Sequence, residues 1–301
     1  MRKLRVLSLC DGIAGGRVAL DKAGISVASY HASEIEKNAI YIANYNYPDI
    51  VQIGDMRAVD GSVYKGKVDL LIGGTPCQDI SVAKANRQGL KGSKSSLFYE
   101  YVRIMHECEP RYFLLENNYS MSSEVKDEIT RCMGVQPICI NSNLVSAQAR
   151  RRYYWTNIPN VTQPENMGIK LQDILESGYA DREKGLCIAR RYAGFVGSQS
   201  YLCRRYFGKS FGQAVFTSKE DRDFIRLKWQ ENPYFGDDEL PHKMIRPMSC
   251  LECERLQTLP PGYTACISSN IARKEAIGNG WTIDVIAHIF KNLKEVDEFK
   301  D

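Results

Sequence analysis

The 301-residue chain has no apolar run near 18 residues, so nothing in it reads as a membrane-spanning helix. It also lacks internal repeats and low-complexity tracts, which sets aside solenoids and linker-rich architectures. Its ten cysteines show no disulfide-framework spacing. The one close pair, Cys250 and Cys253, has neither a second CxxC nor a matching His pair, so no metal site is expected. Scattered thiols of this kind suit a reducing cytoplasm. The basic and apolar N-terminus stops at Asp11-Gly12, too early for a signal-peptide core, and reads as a buried first strand. A composition of 44% hydrophobic and 25% charged residues is that of a globular protein, not of a disordered chain or a small disulfide scaffold. The net charge of +4 is too small to name a partner.

What is present is an alternation. Strand-like runs at 5–9, 26–33, 50–53, 68–72, 112–115, 137–141 and 152–155 are separated by helical patterns at 17–23, 36–45, 97–107 and 123–133. Such βαβ spacing predicts an α/β fold with a mainly parallel sheet, whose ligands bind at the carboxyl ends of the strands. From 160 to 243 the alternation fades, apart from a helical run near 219–230. Helical patterns return at 249–257 and 284–293. The expected division is a catalytic and cofactor-binding domain over 1–159 plus 244–301, with a smaller domain over 160–243.

The first strand runs into Asp11-Gly12-Ile13-Ala14-Gly15-Gly16. Glycines at a strand-to-helix turn let a ligand approach the backbone beside the positive end of a helix. The turn is not a strict GxGxxG, and alone it fits a ligand-free turn equally well. Glu34 ends the second strand, 19 residues after Gly15, where a carboxylate can accept from ribose hydroxyls. Asp55 supplies another acceptor after the third. No lysine follows the glycines, so an adenosine-containing cofactor without a phosphate grip fits better than NAD or ATP.

The fourth strand leads into Gly73-Gly74-Thr75-Pro76-Cys77-Gln78, placing a cysteine just past a strand end, well positioned for a nucleophile. A lone cysteine among ten is ordinarily an inert buried thiol; here its position argues otherwise. The following stretch carries Lys84, Arg87, Lys91 and Lys94 between glycines, a basic loop able to close over a polyanion and to lower a thiol pKa. Glu116 is delivered to the same edge by the next strand. Arg150-Arg151-Arg152 precedes another, and alternation puts Arg150 and Arg152 on one face. Three adjacent arginines are equally compatible with a solvated surface.

In this order the motifs resemble those of the DNA cytosine-5 methyltransferases over nearly the whole chain, most closely phage and prophage members and the de novo vertebrate branch. The resemblance rests on Asp11–Gly16, Glu34, Asp55, Pro76-Cys77-Gln78, Glu116-Asn117, Gln148-x-Arg150-x-Arg152, Arg246-Pro247, Glu252–Gln257 and Gly278-Asn279-Gly280. It implies a Rossmann-like S-adenosylmethionine-dependent domain with a small target-recognition domain, acting on double-stranded DNA as a monomer in a bacterial or phage-infected cell. It assigns Asp11, Gly12, Ile13, Ala14, Gly15, Glu34, Asp55, Met56, Asn279 and Trp281 to the donor, and Cys77, Glu116, Arg150 and Arg152 to catalysis. Gln78, Ser81, the four basic residues of the loop and Gln148 would face DNA. The sequence departs from the family at Cys10, where Phe is usual, and at Asn118, where Val is usual. These departures keep open an altered donor or a catalytically impaired DNA-binding homologue. C5 methylation of RNA is the other alternative.

Residues 182–211 hold seven basic residues and one acid, with aromatics interleaved. Arg190, Arg191, Arg204, Arg205 and Lys209 are the expected DNA contacts there, and the aromatics the core of a small lobe. The charge is unevenly spread: 78–96 carries +3, 146–152 carries +3 and 182–211 carries +6, leaving −8 on the remainder.

Overall fold

The computed structural model of the chain describes residues 3–75, 97–209 and 211–297, which fall into two compact units. The first unit comprises Met1–Asn141, Arg151–Pro164 and Ile283–Asp301; the second, Ser142–Arg150 and Glu165–Thr282. The second unit thus takes in 142–150 and 244–282 as well as most of the segment expected to form the smaller domain.

The first unit is built on seven strands: β1 (Leu4–Leu9), β2 (Val27–Ser33), β3 (Val51–Gln52), β4 (Leu70–Gly74), β5 (Tyr112–Asn118), β6 (Ile138–Asn141) and β7 (Arg151–Thr156). They lie in the order β3-β2-β1-β4-β5-β7-β6, parallel from β3 to β5, with β7 antiparallel to both neighbours. The central strands read as near-continuous apolar runs because helices cover both faces. Four helices precede the second unit: α1 (Gly15–Lys22), α2 (Lys37–Asn46), α3 (Leu97–Cys108) and α4 (Ser123–Met133).

On α3, Phe98, Tyr101, Ile104 and Cys108 recur at spacings of three and four. They pack in one cluster with Leu7, Leu9, Leu71, Phe113, Leu115 and Trp155, every second residue of their strands. Gly73 makes this approach possible: a Cβ there would meet the Tyr101 ring at 2.8 Å. Helix α4 begins at Ser122, whose hydroxyl accepts from Val125 N, and ends at Gly134 in the left-handed conformation. Gly16 does for α1 what Gly73 does for α3, since a Cβ at this position would sit 2.2 Å from Ile72 Cδ1.

In the second unit, α5 (Gln199–Lys209) and α6 (Lys219–Glu231) flank a short antiparallel pair, β8 (Ala214–Phe216) and β9 (Ile245–Pro247). Then come α7 (Cys250–Leu256) and α8 (Asn270–Asn279). The chain returns to the first unit through α9 (Ile283–Asp297), which packs on α1 with a Lys22–Asp284 ion pair at 2.5 Å. Helices α5 and α8 and the β8–β9 pair had no counterpart in the sequence reading. β3 is two residues long rather than four.

Candidate active site

Because β1, β2, β4 and β5 are parallel, their carboxyl ends share one edge of the sheet. β7 is antiparallel, so its first residues return to that edge. The register sets Gly74 beside Glu116, and Asn118 opposite Arg152.

At the end of β1 the backbone alternates through left-handed conformations at Cys10, Gly12 and Ala14, with φ of 53°, 62° and 59°. Two of these are not glycine, and such residues cost of order 1 kcal/mol each. The turn is held by Glu34, whose Oε2 accepts from Gly12 N at 2.7 Å while its Oε1 accepts from Ile35 N and Glu36 N. Asp11 Oδ1 accepts from Ser8 Oγ and Tyr30 OH, both at 2.6 Å. Its Oδ2 is buried without a hydrogen-bond partner among the described residues. Burial pushes the Asp11 carboxyl up to about 6, against the pull of those two hydroxyls. An unpartnered buried carboxylate oxygen is a site for a cationic group, and the charged amine of S-adenosylmethionine fits it.

Asp55 caps the short turn Met56–Ala58, accepting from Arg57 N, and is ion-paired with the Arg57 guanidinium. That pairing holds its carboxyl below the usual range. Met56 is buried, its sulfur 3.4 Å from Cys10 Sγ. Ile13 and Ala14 are buried in the turn. Asn279 ends α8 and Trp281 follows it, both within the second unit.

Glu116 is buried near the end of β5, its Oε1 2.9 Å from Arg152 Nε. Arg152 Nη1 also lies 3.5 Å from Asn118 Oδ1, so the unusual Asn118 sits on the guanidinium that holds the carboxylate. Asn117 stands in the Glu116-Asn117 motif but is given no role of its own in the sequence. It is buried and donates to Thr75 O at 3.3 Å and Thr75 Oγ1 at 3.2 Å. This ties the end of β5 to the last described residue before Pro76. Cys77, Gln78, Ser81, Lys84, Arg87, Lys91 and Lys94 lie outside the described residues.

Of the nine described cysteines, Cys187 is exposed, and the other eight do not offer a competing nucleophile. Burial pushes the thiols of Cys10, Cys108 and Cys203 up to about 12 and raises those of Cys132, Cys139, Cys250, Cys253 and Cys266. For Cys10 the carboxylates of Glu34, Asp55 and Asp11 add to that effect. Such groups stay protonated at neutral pH, and only the thiolate attacks.

The family profile for the C-5 cytosine-specific DNA methylases matches residues 4–133 and 204–295. The chain belongs to that family. It is 40% identical over 119 residues to the orphan methyltransferase M.Rho11sI of Bacillus phage rho11s, an alignment that takes in 39% of this chain and 23% of the phage protein. It is 26% identical to the type II methyltransferase M.FnuDI of Fusobacterium nucleatum, over 97% of this chain and 94% of that one. The fold is that of a solved triple mutant of Spodoptera frugiperda DNMT2, with a TM-score of 0.74 and 16% identity over 97% of this chain and all of the other.

Within this methylase fold Gln148 and Arg150 have buried partners in the second unit. Gln148, expected against DNA, is wholly buried: its Nε2 donates to Leu256 O at 2.7 Å and Gln257 Oε1 at 2.9 Å, and its Oε1 accepts from Ile188 N. Arg150, expected to steady the base, is also buried. It donates to Ile188 O at 2.7 Å and to Gly280 O at 2.9 Å. The alternation expected to put Arg150 and Arg152 on one face does not reach Arg150, because β7 begins only at Arg151. Both side chains satisfy buried backbone groups of the second unit, which is work that only polar residues can do.

Of the basic segment, Arg190 and Lys209 are exposed, and Arg190 faces Glu275 at 3.5 Å. Arg191 and Arg205 stack on Phe211, with centroid distances of 5.0 and 4.2 Å. Arg204 is half-buried on α5. Tyr192, Phe195, Tyr206 and Phe211 are buried, the core role read for the aromatics.

Proposed function

We propose that the chain transfers a methyl group from S-adenosylmethionine to C5 of a flipped-out cytosine in duplex DNA, through a covalent adduct between Cys77 and C6. The observation that carries this reading is the buried Glu116–Arg152 pair at the carboxyl edge of the sheet, with Asn117 tethering Thr75 two residues before Cys77. Family membership and the printed names of the phage and type II relatives support the substrate class.

C5 of cytosine is a weak nucleophile inside an aromatic ring. Addition of the Cys77 thiolate across C5–C6 forms an S–C6 bond and leaves C5 enamine-like. Glu116 meets the N3 and exocyclic-amine edge of the base and supplies or shares a proton there, offsetting the negative charge that addition creates. Arg152 keeps the carboxylate in place. Asp11 and Glu34, with Asp55, would hold the donor, whose methyl would pass from sulfur to C5 with S-adenosylhomocysteine as the leaving group. A base then removes the C5 proton, the electron pair restores the double bond, and Cys77 leaves as thiolate. Because the stacked duplex hides C6, the cytosine must first leave the helix. The second unit, with its basic segment, takes the part of target recognition, and the phage and restriction-modification relatives suit DNA marking as the biological role.

Incubation with labelled S-adenosylmethionine and either plasmid DNA or transfer RNA tests this. Label in DNA that disappears in Cys77→Ser is the expected result. Label in RNA alone, or binding to DNA with no label, would contradict it.

A further inference from the structure

Residues 219–243 mix acidic and basic side chains along a helical run. In the structure, α6 brings Arg222 and Arg226, one turn apart, to the same small cavity as Arg182. The cavity holds about 240 Å³ and is completed by Asp181, Tyr206 and Phe207, all within the second unit. We propose that it is a clamp for a backbone phosphate of the DNA substrate, an inference that rests on the reading above for the identity of the polyanion.

The chemistry of the walls selects this occupant. The Arg182 guanidinium lies 4.9 Å from the Tyr206 ring centroid and that of Arg222 5.4 Å from Tyr179, so both flat forks are held by stacking before any ligand arrives. A base would need a free aromatic face, and the rings here have other neighbours. Tyr206 is covered by Arg182, and Phe207 packs against Trp229, Phe216 and Tyr206. What the cavity offers is therefore guanidinium edges, which match phosphate oxygens.

Two carboxylates adjoin the three arginines. Asp181 is tied by Tyr206 OH at 2.5 Å and lies 3.4 Å from Arg182 Nε; the half-exposed Asp223 lies 2.7 Å from Arg222 Nε. Arg226 is exposed and has no ion pair among the described residues. The group carries one positive charge in excess, and Arg226 is the arginine whose charge a phosphate would meet uncompensated.

Binding of a fluorescent 30-base-pair duplex, followed by anisotropy across a salt series without donor, tests the site. Arg226→Gln is expected to lower the slope of log K against log[salt] by about 0.9, the counterion release of one phosphate, and to weaken binding several-fold at low salt. Arg222→Lys, which keeps the charge and loses the fork, is expected to keep most of the slope and lose part of the affinity. An unchanged slope in Arg226→Gln with an unaltered circular dichroism spectrum would overturn the assignment. So would an equal loss in Lys67→Gln, an exposed lysine of the first unit, or no duplex binding by the parent chain. The readout needs no turnover: a clamp that passes in a protein that does not methylate DNA retires the activity alone, and the reverse result retires the clamp alone.

Discussion

In the proposed reaction Glu116 has to stay close to a ring that gains negative charge, and a free carboxylate at that position would drift and repel. The Arg152 contact at 2.9 Å answers both needs. Arg152→Ala is expected to cost about 10²–10³ in the single-turnover rate, the typical effect of removing a preorganised charged donor, with a smaller change in DNA affinity. Asp11 makes a second prediction. Its carboxyl titrates near 6 in the folded chain, above the ordinary carboxylate range, because burial outweighs two hydroxyl hydrogen bonds. A cationic donor amine needs the ionised form. Affinity for S-adenosylhomocysteine, which carries the same amine, should therefore hold above pH 7 and fall towards tenfold per pH unit below 6. Asp11→Asn should bind weakly and flatten the profile. Titration calorimetry between pH 5 and 8 reads both. The linked stability runs the other way: the folded state retains the Asp11 proton longer, so this group's contribution declines as pH rises from about 4 through 6.

At the scale of elements, the second unit depends on a buried ion pair. Arg246, at the centre of β9, forks onto Glu252 in the first turn of α7, at 2.7 and 2.8 Å, and Glu252 is fully buried. Burial works against its ionisation. The Arg246 fork and the Glu176 and Ser249 amides overcome that and hold the carboxyl below its ordinary value. Arg246→Ala should destabilise this unit by about 3–5 kcal/mol, since it strands a buried charge. Thermal denaturation checks it. A carboxyl held low contributes stability above its unfolded pKa and loses it as pH falls through the folded value, so the variant's deficit should shrink in acid.

The same unit shows why legibility differed along the chain. β1, β4 and β5 were readable because a parallel strand covered on both faces is an unbroken apolar run between turn residues. Helix α5 was not: Leu202, Cys203 and Tyr206 form its buried face, but Arg204, Arg205 and the neighbouring aromatics blur the period. β8 and β9 are three residues each, too short for alternation to show. Glu116 and Glu34 could be found because each stands at a strand end. The roles of Asn117 and Arg57 could not, since what they do depends on Thr75 and Asp55, contacts that no spacing rule announces. Gln148 and Arg150 show the converse: polar residues in a family motif also satisfy buried carbonyls.

Across the whole molecule, the small net charge of +4 conceals a partition. The segments 78–96, 146–152 and 182–211 are strongly basic, and the remainder carries −8. Gln148 and Arg150 are buried in the second unit, while Arg222 and Arg226 add charge that the linear count does not group with Arg182. DNA affinity should accordingly fall steeply with salt, which filter binding between 50 and 250 mM would read. The central claim is narrower than that: one cysteine, Cys77, attacks C6. Duplex DNA carrying 5-fluorocytosine at the target position blocks the final proton loss, so incubation with S-adenosylmethionine should leave a protein–DNA adduct that survives denaturing electrophoresis, with a peptide bearing Cys77 attached to the methylated base. No adduct despite methylation of ordinary cytosine, or an adduct that persists in Cys77→Ser, would contradict the account.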